Sequence, residues 1–110
     1  DALWVGLPVL TCPGRSFAAR VAASVLRAAG LDELIAADLG DYEEKAVALA
    51  SEPARLDALK KRLLAEPLKL PLFDTPLFTR HLEKAYTRMA ERHWAGLAPE
   101  HIAIDPTRSN

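Results

Sequence analysis

The sequence predicts a helix-rich α/β fold, with about two short parallel strands and a long C-terminal helix. Three observations point there. Apolar residues recur at three- and four-residue spacing over several separate stretches, the period of one helix face. Two short apolar runs, Val9-Leu10-Thr11 and Leu34-Ile35-Ala36-Ala37, alternate with those stretches. Strands alternating with helices favour parallel β-α-β connections. The 110 residues are 50% hydrophobic and 26% charged, a balance that suits one modest soluble domain rather than a disordered chain.

The elements follow in order. Asp1 to Gly6, DALWVG, reads as a last helical turn closed by glycine, the usual residue just past a helix C-terminus. Leu7-Pro8 leads into the first strand, a run bounded by Pro and Gly as buried strands are. Ser16 is placed to cap the next helix. Phe17, Val21, Val25 and Ala28 give its inner stripe, and so many alanines fill the rest that neighbours are expected to cover most of it. Gly30 ends it. The second strand, Leu34 to Ala37, is weakened by its alanines. Asp41 and Glu44 have the spacing of a capping box, followed by Tyr42, Ala46, Leu49 and Ala50 on one stripe. Ser51-Glu52-Pro53 breaks that helix and starts another, since proline fits a first turn. Leu56, Leu59 and Leu63 form its inner face. Pro67 and Pro71 frame an extended linker, PLKLPLF. Asp74-Thr75-Pro76 opens a closing helix over about 76–95, with Phe78, Leu82, Ala85, Tyr86 and Met89 on one face and Gly96 as its stop. Residues 1–96 thus form the domain and 97–110 a tail without clear pattern beyond Ile102 and Ile104. Two short strands make a poor sheet by themselves. Their missing neighbours are expected upstream or in another copy. The chain starts at Asp1 without methionine and reads as a piece of something longer.

Composition excludes several functions. A net charge of −1, from 14 basic and 15 acidic residues, gives no electrostatic case for nucleic acid or an anionic membrane. No apolar run approaches the roughly 18 residues of a spanning helix. The single cysteine, Cys12, forms no internal disulfide and suits a reducing, cytoplasmic compartment.

The turn Thr11-Cys12-Pro13-Gly14-Arg15-Ser16 joins strand to helix, an order that often makes an anion site. A P-loop would need glycine at Val9 and lysine at Arg15, and Pro13 removes a backbone donor. A tight turn capped by Ser16 is therefore favoured over a phosphate cradle, with Arg15 and Ser16 kept as candidate loop contacts to donor or acceptor. Cys12 has no histidine near in sequence to act as its base, and a small core residue is the simpler reading. His81 and His93 stand twelve residues apart on one helix, His101 lies beyond it, and no metal-ligand spacing is present. No complete catalytic set lies within the chain.

The run D-A-L-W-V-G-L-P-V-L-T-C-P-G-R-S-F-A-A-R-V-A-A-S-V-L resembles the C-terminal catalytic region of the O-linked N-acetylglucosamine transferases and their Spindly-type relatives. Their pattern there is approximately D-x-L-W-x-G-x-P-[VM]-[VL]-T-x-P-G-x-x-x-[AS]-x-R. The likeness continues through LDELIAADLGDYEEKAVALASEPARLDALKKRL and LPLFDTPLFTRHLEKAYTRMAERHWAG, to about Gly96. The resemblance implies a GT-B fold, this chain being the C-terminal portion of one Rossmann-like lobe, in a parent that carries tetratricopeptide repeats. It implies transfer of N-acetylglucosamine from a UDP-sugar, as substrate, to protein Ser and Thr hydroxyls, with no cofactor and no metal.

The aspartate of the D-x-L-W motif is Asp1, which the resemblance assigns to the donor ribose. A carboxylate accepts two hydrogen bonds from a cis-diol. The family's other donor-site groups lie outside this chain, so the fragment itself is expected to be inactive. Trp4 would pack beneath the nucleotide lobe, and Arg20 would tie its helix to a neighbour. Spindly-type relatives bring GDP-fucose as the alternative donor. The competing reading is a non-catalytic helical interaction module docking through Phe78, Tyr86, Met89 and Trp94. Under either, exposed apolar surface leads to an expectation of self-association.

Overall fold

A computed structural model of the chain describes residues 1–105. They form α1 (Phe17–Ala28), α2 (Leu39–Ser51), α3 (Pro53–Ala65) and α4 (Thr75–Trp94), with 3-10 turns at Asp32–Leu34 and Pro67–Lys69. Two compact units divide the chain, one of Asp1–Phe73 and one from Asp74 onward.

The α/β expectation is overturned: the fold is all-helical, and no strand or sheet forms among the described residues, so no Rossmann-like lobe is present. Where two parallel strands were expected, a single isolated parallel bridge joins Thr11 to Ile35. Thr11 donates to the Leu34 carbonyl at 3.0 Å and accepts from the Ala36 N–H at 2.7 Å. Local chemistry limits it to one rung. Pro8 and Pro13 bracket the first run and have no N–H to donate to a ladder. On the other side the 3-10 turn occupies residues up to Leu34, and Asp38 already caps α2.

The first unit is built on three helices closed by caps. Asp1 to Gly6 form a helical turn that ends at Gly6, whose φ is +80°. Gly6 donates to the Leu3 carbonyl and Leu7 to the Ala2 carbonyl, at 3.1 and 2.9 Å. This pair is the Schellman closure, which needs a left-handed residue and so selects glycine. The same pair recurs after α1, from Gly30 to Arg27 and from Leu31 to Leu26. Ser16 caps α1, its Oγ accepting from Ala19 N–H at 3.2 Å. α2 starts three residues earlier than its capping-box spacing suggests: Asp38 is the cap, accepting from Asp41 N–H, and Asp41 reaches back to Ala37 N–H. Pro53 sits in the first turn of α3, as its fixed φ favours.

The core of this unit gathers Leu3, Leu26, Ala29, Leu31, Leu34, Leu59 and Leu63, with Val9, Leu10, Leu49, Leu70, Leu72 and Phe73 packed partly against it. Leu59 and Leu63 are four apart, so both face inward from α3. α1 is less covered than its alanines suggest. Ala23 and Leu26 are buried, but Phe17 is 80% exposed and Val21 39%.

In the second unit Asp74 caps α4 by accepting from Leu77 N–H at 2.9 Å. Residues 97–105 follow the Gly96 turn without regular secondary structure. The rest of the expected tail, 106–110, lies outside the described residues.

Candidate functional site

Asp1, assigned above to a donor ribose, is exposed at the start of the first helical turn. Its carbonyl accepts from Val5 N–H, which anchors its backbone. It stands at the edge of an apolar trough of about 460 Å³, floored by Val9, Ala22 and Leu26 and walled by Ala18, Val21 and Phe73. From α1 the trough takes Ala18 and Ala22, whose small side chains leave space, beside Val21, Val25 and Leu26. A carboxylate at the rim of an apolar trough can accept two hydrogen bonds from vicinal hydroxyls while the floor takes up apolar surface.

The turn is mostly committed to folding. Gly14 N–H donates to the Ala19 carbonyl at 3.1 Å, Ser16 Oγ is occupied by Ala19 N–H, and Pro13 has no donor. Arg15 is exposed, and among the described residues its side chain makes no hydrogen bond or ion pair. Asp1 and the trough border α1 at Ala18 and Val21, one turn on from Ser16. Arg15 and Ser16 themselves do not line the trough. Cys12 is half-buried beside a smaller hollow with Leu10, Thr11, Leu39 and Tyr42. Trp4 packs edge-on against Phe73, ring centroids 5.0 Å apart, and is otherwise half exposed. Arg20 is exposed, and the described residues offer it no carbonyl or carboxylate partner.

The charged groups of this unit hold local structure. Arg62 donates to the Gly30 carbonyl at 2.7 Å and pairs with Glu33, tying α3 to the end of α1. Partial burial pushes the Glu33 carboxyl up. Its backbone hydrogen bond and Arg62 outweigh that and leave it below the usual carboxylate range. Asp41 is held below its ordinary value by the Ala37 N–H and then by Lys45. No signal in the sequence identifies Arg62 as an anchor, because its partners lie 29 and 32 residues away. Among the described residues no three His, Cys, Asp or Glu side chains converge on a point fit for a metal ion.

Residues 1–82 match the family model described as glycosyl transferase family 41. The chain belongs to that family. Over 105 residues it is 43% identical to the probable UDP-N-acetylglucosamine–peptide N-acetylglucosaminyltransferase SEC of Arabidopsis thaliana, covering 94% of this chain and 11% of that protein. Identity to the transferase of Caenorhabditis elegans is 32% over 102 residues, 93% of this chain and 9% of the relative. The SPINDLY protein of Solanum lycopersicum, named with the same probable activity, is 35% identical over 99 residues, 90% and 11% of the two chains. The chain thus spans about a tenth of the length of these family-41 relatives. The family read from the D-x-L-W and T-x-P-G motifs is the family the chain matches. No helix in the described residues is long and apolar enough to cross a membrane.

Proposed function

We propose that this chain is part of a family-41 enzyme that transfers N-acetylglucosamine from a UDP donor to Ser or Thr hydroxyls of proteins. The observation that carries the reading is the likeness to named UDP-N-acetylglucosamine–peptide transferases over more than nine-tenths of the chain. In the reaction the hydroxyl oxygen attacks the anomeric carbon of the donor. The bond from that carbon to the diphosphate oxygen breaks, UDP leaves with the electron pair, and the hydroxyl proton is released as the new bond forms. Catalysis then rests on holding the reactants in line and on fixed donors facing the leaving group.

In this reading Asp1 grips the ribose of the donor through its two carboxylate oxygens. Its exposure and its anchored backbone support the role. The 110-residue chain alone is expected to be inactive, since among the described residues it offers one ribose contact and no set of donors for a diphosphate. The donor and the acceptor protein are its partners, and no cofactor enters.

The test is UDP titration, by calorimetry, of a family-41 protein that carries this chain within its full length. Asp1→Ala removes hydrogen bonds to a charged acceptor, worth about 1.5–3 kcal/mol, so UDP affinity is expected to fall about tenfold or more. An unchanged affinity overturns the assignment of Asp1. Tight GDP binding in place of UDP replaces the donor with GDP-fucose. A full-length protein that binds neither nucleotide, yet holds a protein through Phe78, Tyr86, Met89 and Trp94, favours the interaction module. The exposure of those four side chains is the observation that keeps that reading in view.

A further inference from the structure

Among the described residues no donor holds the Asp1 carboxylate, so its direction depends on the short turn that carries it. Inside that turn the backbone is closed by Val5 N–H to Asp1, Gly6 N–H to Leu3 and Leu7 N–H to Ala2. Outside it, three residues seat the turn on the rest of the unit. Leu3 sinks into the core with Leu26, Leu59 and Leu63. Gly6 lies against Leu64 of α3. Trp4 is the third.

Trp4 follows Asp1 by three residues in the one helical turn, a spacing that makes side chains neighbours. Its ring meets Phe73 edge-on, centroids 5.0 Å apart and planes at 74°, a geometry that ring quadrupoles favour. Phe73 also walls the trough at whose rim Asp1 stands. One ring from distant sequence thus meets both the neighbour of Asp1 in the turn and the space beside Asp1. Trp4 is 48% exposed and stands outside the buried core cluster. A contact this open removes less apolar surface from water than Leu3 does. Its place next to Asp1 is where a small tilt of the turn redirects the carboxylate.

We propose that Phe73 is a positioning residue of the donor site: through Trp4 it fixes the turn that aims the Asp1 carboxylate at the ribose. This role presupposes Asp1 as the ribose contact. Phe73 touches no reacting atom. Two carboxylate oxygens must meet two hydroxyls at once, and hydrogen bonds weaken steeply as their angle closes. A tilted turn therefore loses part of the ribose contact even with the carboxylate present.

The test is UDP titration by calorimetry on a full-length family-41 protein that carries this chain, with urea unfolding followed on the same samples. Phe73→Leu is expected to lower UDP affinity about threefold to tenfold. Phe73→Tyr keeps a ring against Trp4 and should stay within about twofold of the native value. Trp4→Leu breaks the same pair from its exposed side and should match Phe73→Leu, which covers the case in which Phe73→Leu unfolds. A double-mutant cycle decides the role. Once Asp1→Ala has removed the carboxylate nothing is left to aim, and adding Phe73→Leu or Trp4→Leu should change affinity by less than about twofold. A ring that only supports the fold lowers affinity by the same factor with or without the carboxylate, and that result overturns the positioning role. So does native affinity in both Phe73→Leu and Trp4→Leu where Asp1→Ala alone weakens UDP. If Asp1→Ala alone leaves UDP affinity native, the ribose contact itself fails, and the positioning role falls with it.

Discussion

Gly6 shows how much one position can hold. Its φ is +80°, and a Cβ built there would lie 2.6 Å from Leu64 Cγ. Gly6→Ala therefore meets both a left-handed backbone and an overlap with a side chain of α3. We expect a loss of about 2–4 kcal/mol, read from urea denaturation followed by circular dichroism. Asp41 is the acid-sensitive position. Its folded carboxyl sits below the ordinary 3.8, so its contribution to the start of α2 is complete above that value. It is lost as pH falls through the lowered one. Asp41→Asn should remove this part of the acid response below the ordinary value of 3.8, leaving a helical signal that varies less with pH there. At this scale the sequence was a good guide where a signal is local. Ser16, Asp74, Pro53 and the glycines Gly6, Gly30 and Gly96 act within a few residues of themselves. The cap of α2 shows the limit: Asp38 and Asp41 are spaced alike from a following acid or amide. Asp38 wins because Asp41 can then also reach back to Ala37 N–H.

Among the elements, α3 depends most on the core. Leu63 is 1% exposed and Leu59 4%, while the opposite side of the helix carries Lys60, Lys61 and Arg62. Leu63→Ala is expected to cost about 2–5 kcal/mol, measured by thermal or urea unfolding. The same change at Leu64, which is 56% exposed, should cost clearly less. Helices were legible because their period, caps and breakers lie within the element itself. Strands were not, because a ladder needs partners along both runs. Val9 to Thr11 and Leu34 to Ala37 have strand-like composition but share one rung, ended by Pro13 on one side and the Asp38 cap on the other. The run beside α4, where Ala98 meets Arg92 and Ala103 meets Arg88, went unread for a related reason. Ile102-Ala103-Ile104 is too short an alternation to stand out until a helix face lies beside it.

For the whole molecule, the family was more legible than the architecture. Asp1, Trp4, Pro8, Pro13 and Gly14 stand at fixed spacings that belong to one family, and that ordering survives without any knowledge of the fold. The candidate site was legible only in part. Asp1 came from the motif, but the trough beside it depends on Val9, Ala22 and Phe73 meeting from three places in the chain. The surface carries one further expectation. Phe17, Phe78, Tyr86 and Trp94 are each at least 59% exposed, and large apolar side chains left in water favour association. We expect sedimentation velocity of the 110-residue chain to show a concentration-dependent shift toward larger species. Phe17→Glu combined with Phe78→Glu should reduce it, and a strictly monomeric profile at high concentration would count against the idea.

The ring contact between Trp4 and Phe73 joins the beginning of the first unit to its end. A unit whose two ends meet can be cut at an exposed loop and rejoined across the old ends without removing a core contact. Here Glu52, between α2 and α3, is such an exposed junction. A first unit cut at Glu52 and rejoined from Phe73 to Asp1 is therefore expected to keep the packing of its three helices.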